Sequence, residues 1–119
     1  MTNNRERAQR IAALNDALRK TPGDPALGLL TMTSGVAALG SAFWITVLAK
    51  LASLEAKDFP GGDDPYGERD FAAFAVDDEK LYFKIDYFER GSDLTAGAEH
   101  PENPETTERV LTVMLREEY

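Results

Sequence analysis

The chain has 119 residues, no cysteine and a formal charge of −8. That length suits a single domain over residues 1–119 that buries about two-thirds of its unfolded surface, and the missing cysteine excludes disulfides, thiolate nucleophiles and cysteine-ligated metals. The acidic balance repels a phosphate backbone, so direct nucleic-acid binding is not expected unless the first helix acts alone, whereas a protein partner is; the missing cysteine leans toward a cytoplasmic location.

Charge is unevenly placed. Residues 1–20 carry five basic and two acidic side chains, a net of +3, while residues 55–79 carry two basic and nine acidic, a net of −7. Asn3 and Glu6 have capping-box spacing, and Ala8, Ile11, Leu14 or Asn15, and Leu18 recur at helical intervals, which predicts a helix over about residues 4–20. Arg19 and Lys20 suit its negative end, and Thr21-Pro22-Gly23 stops it. Arg5, Arg7 and Arg10 fall off the apolar stripe and form a solvated face. With no apolar core after them, they do not resemble a secretory signal.

Gly28 to Thr33 reads as a short strand ended by Ser34-Gly35. From Ser41 or slightly earlier to Leu54 the pattern is helical and rich in Phe43, Trp44, Ile45, Val47, Leu48, Leu51 and Leu54. So broad an apolar surface requires burial against more than one element, or against a second copy through helix 42–54. Trp44 is assigned to the core or to that dimer contact. No charged residue occurs from Pro25 through Ala49, yet Pro25, Gly28, Gly35 and Gly40 interrupt the run, and membrane insertion is not expected.

Residues 58–70 form a polar connection through Pro60-Gly61-Gly62 and Pro65-Tyr66-Gly67. Phe71–Val76 and Leu81–Phe88 then read as an antiparallel hairpin across Asp77-Asp78-Glu79-Lys80. In the second strand Leu81, Phe83, Ile85 and Tyr87 face the core, and Tyr82, Lys84, Asp86 and Phe88 face outward. Residues 91–106 read as a long exposed loop. Glu108–Tyr119 fits a helix or a strand, and the strand is chosen because a hairpin needs further sheet partners. The fold class is therefore α+β, an antiparallel sheet of three to four strands packed against two main helices.

The candidate chemistry gathers in Asp63-Asp64-Pro65-Tyr66-Gly67-Glu68-Arg69-Asp70. If the loop folds back beside the second hairpin strand, Asp63, Asp64, Glu68, Asp70 and Asp86 converge, and hard cations favour such oxygen donors. The pattern does not match a calcium loop, and Arg69 lies inside it. Lys84 and Asp86, two apart on one face, read as a surface ion pair. His100 is the only histidine, and pairing it with Ser92, Thr106 or Thr107 would require a coincidence of folding. Gly61-Gly62 and Gly35 through Gly40 lack the rest of a phosphate loop. No cofactor is expected.

The ordered blocks Leu14-Asn15-Asp16-Ala17-Leu18-Arg19, Thr33-Ser34-Gly35-Val36, Asp64 through Phe71, Lys84-Ile85-Asp86-Tyr87 and Arg109 through Leu115 resemble the small bacterial family DUF3768. The resemblance implies a one-domain bacterial protein of uncharacterised function, often from proteobacteria and their plasmids or other mobile elements, and supplies no established active site. It also implies three departures: histidine is usual at the position of Arg69, glycine at Ala72 and tryptophan at Phe83. The functional expectation is an acidic protein-binding module, in a mobile-element or anti-defence setting, with an interaction surface of Asp64, Tyr66, Glu68, Arg69, Asp70, Lys84 and Asp86. The alternative is a metal-assisted hydrolase using Asp64, Glu68, Asp70 and Asp86.

Overall fold

The computed structural model describes residues 4–59 and 64–119, so the expected cap at Asn3 and the Pro60-Gly61-Gly62-Asp63 stretch lie outside the described residues. Helix α1 (Asn4–Lys20) is followed by strand β1 (Leu29–Met32), a one-turn helix α2 (Ser34–Ala37) and helix α3 (Ser41–Ser53). Strands β2 (Phe71–Val76), β3 (Glu79–Glu89) and β4 (Thr107–Leu115) complete the sheet, and short 3-10 turns occupy Ala56–Asp58 and Arg116–Glu118. The strand order is β1-β4-β3-β2. The fold is α+β with a largely antiparallel sheet: β2–β3 and β3–β4 are antiparallel, and β1 joins β4 in parallel.

Two sequence features position that sheet. Asp77 and Asp78 both adopt positive φ, 48° and 69°, the mirror-image turn that matches the twist of a tight hairpin. The connection is thus two residues, and Glu79 and Lys80 already belong to β3. At the other edge, Gly28 has φ 147°, and a Cβ there would sit 2.8 Å from the Arg109 carbonyl oxygen. Only glycine lets the chain enter β1 this close to β4.

One face of the sheet is the core. Phe83, Leu81, Ile85, Leu111, Val113, Ala72 and Phe74 are buried there beneath Leu18 of α1, Val36 of α2, and Val47, Leu51 and Leu54 of or just beyond α3. Each fully buried Leu, Ile or Phe contributes about 1.5–3 kcal/mol relative to exposure. Phe59 closes this side, edge-on to Phe83 at 5.9 Å. Trp44 and Phe43 pack half-buried against the same core.

The last strand stops at Leu115 rather than continuing through Tyr119. Beyond it Glu118 turns back: its carboxylate accepts from the Thr33 hydroxyl at 2.6 Å and from the Leu115 N–H at 2.8 Å. The loop over 91–106 is mostly exposed, as expected, and is anchored at a few points. Ala98 N–H donates to the Tyr87 carbonyl at 3.1 Å, Arg7 donates to Glu102 and to the Glu99 carbonyl, and Pro101 is buried. Of the three basic residues assigned to water, Arg5 and Arg10 are exposed and Arg7 is half-buried.

Candidate functional site: an acidic loop braced by helix α1

Asn15, not Leu14, occupies the buried stripe of α1 and has no exposed surface. A buried carboxamide must satisfy its polar atoms, and this one does so across three elements. Its Nδ2 donates to the Glu68 carbonyl at 3.0 Å and to the Tyr87 hydroxyl oxygen at 2.9 Å, while Oδ1 accepts from Arg109 Nε at 2.9 Å. Tyr87 in turn donates to Glu68 Oε1 at 2.9 Å. Arg109 donates onward to the Pro101 carbonyl and lies over the Tyr87 ring, 5.2 Å from its centroid. Burial first, then the charges of Asp70 and Glu68, keep the Tyr87 phenol protonated well above the usual range. Burial also pulls the Arg109 guanidinium down, with Tyr87 and Glu68 opposing.

One residue along, Asp16 grips the loop directly. Arg69 donates Nε and Nη2 to both Asp16 oxygens at 2.7–3.1 Å, a bidentate pair, and Arg19 adds a bond at 2.8 Å. Partial burial opposes ionisation of Asp16, but the hydrogen bonds and charges of Arg69 and Arg19 prevail and hold the carboxyl below its ordinary range. Arg69 adopts φ 52°, in the left-handed region, which costs a non-glycine residue about 1–2 kcal/mol. Its N–H donates to Asp64 Oδ1 at 2.9 Å, and the Asp64 carbonyl accepts from Gly67 N–H at 3.1 Å. Asp64 is thereby a turn-forming residue.

The loop stands as a ridge with a hollow on each side, and Tyr66 at its crest is 78% exposed. Toward α1 the hollow is lined by Asn4, Arg7, Ala8, Ile11, Tyr66 and Glu68. Toward the outer sheet face a shallow groove of about 400 Å³ is lined by Pro65, Tyr66, Asp70, Phe71, Lys84, Ile85, Asp86 and Tyr119. Tyr66, Asp70, Lys84 and Asp86 therefore share one groove, whereas the side chains of Glu68 and Arg69 turn toward Tyr87 and Asp16. Phe71, Tyr82 and Tyr119 form an aromatic group beside it, with ring centroids 5.1–5.5 Å apart. Lys84 pairs with Asp86 at 3.1 Å. Asp70 has a different environment: partial burial, then Glu68, Asp64 and Asp86, push its carboxyl up to about 6.

Among the described residues no three Asp, Glu or His side chains are grouped so as to hold a metal ion. His100 is exposed, its ring 3.6 Å from Glu102, and the Thr107 hydroxyl donates to the His100 backbone carbonyl rather than to the ring. No helix among the described residues is long and apolar enough to cross a membrane. On α3, Ile45 is 68% exposed, with Ala42, Thr46 and Ala49 exposed around it.

A family model described as protein of unknown function (DUF3768) matches residues 32–118. The chain belongs to this family. No curated protein and no solved structure matches it. The DUF3768 match begins at Met32, so α1 precedes it, although Asn15 and Asp16 hold the matched loop. Two of the departures that the resemblance implies fit this geometry. Ala72 and Phe83 are direct cross-strand partners, both with no exposed surface, so alanine for glycine and phenylalanine for tryptophan offset in volume. The third, Arg69, gives the left-handed position a side chain whose fork matches Asp16. The bracing residues Asn15, Asp16, Tyr87 and Arg109 were absent from the expected surface. The available signal was a carboxamide inside an apolar helical stripe.

Proposed function

We propose that this protein is an acidic protein-binding module that receives a basic segment of a protein partner in the groove between the 64–70 loop and β3. The observation that carries the reading is an exposed tyrosine on a loop fastened from behind. Tyr66 is 78% exposed, while Glu68 and Arg69 immediately after it are bonded to Asn15, Tyr87 and Asp16. Rigid aromatic side chains bind at low entropic cost, and prior ordering of the loop removes a cost that binding would otherwise carry. Asp70 and Asp86 against the single cation Lys84, which pairs with Asp86, leave the groove net negative, and the nearby rings can stack on a guanidinium or ammonium group. The mobile-element or anti-defence setting is supported by the family resemblance, and the cytoplasmic location fits a cysteine-free sequence.

The test compares quantitative affinity capture by the natural protein, Tyr66→Ala, and a double Asp70→Lys, Asp86→Lys variant, each shown folded by circular dichroism. Both variants are expected to lose the same partner, with capture weakening as salt rises. Equal recovery by all three proteins sinks the proposal. Self-association through helix 42–54 is a second reading, favoured by the exposure of Ile45. Sedimentation is expected to give a dimer that Ile45→Glu dissociates, and a monomer at high micromolar concentration overturns it.

A further inference from the structure

Strand β2 lies at the edge of the sheet, hydrogen-bonded only to β3 among the described residues. The Ile85 N–H donates to the Asp70 carbonyl at 2.8 Å, which fixes the phase of the antiparallel ladder. Positions 72, 74 and 76 exchange bonds with β3, and the N–H and C=O groups of Phe71, Ala73 and Ala75 point away from it. Ala73 and Ala75 are exposed. Phe71-Ala72-Ala73-Phe74-Ala75-Val76 contains no charge and no proline, so the strand lacks the usual internal devices that stop another strand from pairing. A hollow of about 350 Å³ beside the two alanines, lined also by Lys80, Tyr82 and Arg116, leaves room on the outer face for a larger side chain.

Charge decides what fits there. Acids stand at both ends of the strand: Asp70, with Asp86 beside it, precedes Phe71, and Asp77-Asp78 follow Val76. Two copies pairing β2 antiparallel about Ala73 would set each Asp70 opposite the other copy's Val76 and diagonally to its Asp77, on a chain already at −8, and negative charges brought that close repel. Lys80 and Arg116 stand behind the alanines, which disfavours a cation in the middle of the incoming strand. We propose that the free edge of β2 takes an extended segment of another protein as a fifth strand, uncharged in its centre and carrying Lys or Arg at its ends. Backbone bonds to Phe71, Ala73 and Ala75 supply the affinity, and the acidic ends set the partner. The charge preference rests on the acidic-surface reading above; the strand geometry does not.

The test uses a peptide with a Val-Thr-Val-Thr-Val core between lysine pairs, a glutamate-flanked version, and a lysine-flanked version N-methylated on alternate core amides. The expected result is saturable binding of the first peptide alone, with exchange of the Ala73 and Ala75 amide protons slowed roughly tenfold or more, and binding weakened roughly tenfold by Ala75→Pro. That proline removes an outward N–H and leaves the β3 ladder intact, and if the variant fails to fold, the N-methylated peptide decides the same point. No binding at millimolar peptide, equal binding of the N-methylated peptide, or unchanged amide exchange overturns the proposal. A dimer without peptide that Ala75→Pro dissociates also overturns it, assigning the edge to a second copy. Amide protection that is equal for lysine- and glutamate-flanked peptides keeps the added strand but overturns the basic partner and the charge reading with it. Charge-dependent binding without amide protection removes the strand and leaves the groove reading standing.

Discussion

Helices α1 and α3 cover the same sheet by different means. Beneath α3 the contact is apolar, Val47, Leu51 and Leu54 lying with Phe59 and Phe74 over Phe83. Beneath α1 it is mixed: Ile11, Ala12 and Leu18 are buried beside a set of polar contacts in which Asn15 reaches Glu68, Tyr87 and Arg109, Asp16 reaches Arg69, and Arg19, only 2% exposed, donates to the Leu51 and Leu54 carbonyls at 2.7 and 2.8 Å. Apolar contacts accept many arrangements of similar volume, whereas hydrogen bonds between buried groups accept few. The directional contact is found where the 64–70 loop attaches, which fixes that loop in one orientation.

Substitutions can separate these two kinds of contact. Arg19→Met removes the donors to two carbonyls at the end of α3 and is expected to cost about 4 kcal/mol by denaturant unfolding; a loss under about 1 kcal/mol would mean that the guanidinium is replaceable by packing. Asn15→Leu keeps the number and branching of side-chain heavy atoms but leaves Arg109 Nε and the Glu68 carbonyl without their partner, for about 3 kcal/mol. Arg69→Ala retains the left-handed strain and loses the Asp16 pair, so about 1–2 kcal/mol should vanish near neutral pH. Since Asp16 is held below its ordinary range, that stability is present above about pH 4 and lost as pH falls through the folded value. Arg69→Gly should cost about 1 kcal/mol less than Arg69→Ala, because glycine relieves the backbone.

Asp70 gives the opposite sign. With its folded value near 6 against 3.8, the unfolded chain releases its proton first, so stability falls as pH rises from about 4 to about 6 and stays lower above. Asp70→Asn is therefore expected to stabilise by about 1 kcal/mol at pH 7.5, a figure reduced for the group's partial exposure, and to do nothing near pH 3. Urea titrations at the two pH values measure the difference, and an equal effect at both would reject the assignment. On the apolar side, Leu51→Met should cost at most about 1 kcal/mol. A larger cost than that of Asn15→Leu would invert the comparison.

Local pattern made much of the fold readable. The stripe through Ile11 and Leu18, the alternation from Leu81 to Tyr87, and the β-branched run after Arg109 each record which face a residue buries; the first two elements formed close to where expected, and the third formed as a strand but ended at Leu115. The Asp77-Asp78 turn was less legible, because two aspartates in the left-handed region leave a weaker signal than an Asn-Gly pair. What the sequence withheld was non-local. Nothing near Arg69 indicates Asp16, nothing near Arg19 indicates the carbonyls of residues 51 and 54, and nothing near Leu29 indicates a parallel neighbour at Val110. For the same reason the acidic segment was legible as a turn, while the division of its side chains between an outer groove and an inner brace was not.

The parallel pairing of β1 with β4 has a consequence during synthesis. Leu29 aligns with Val110, so the first strand to leave the ribosome waits for a neighbour made roughly eighty residues later, several seconds at about 5–20 residues per second. The β2–β3 hairpin, closed by a two-residue turn, has no such delay and is the natural nucleus. Until β4 arrives, Leu29–Met32 within the uncharged stretch from Pro25 to Ala49 has no sheet neighbour in the nascent chain, and that interval is when a chaperone would find it.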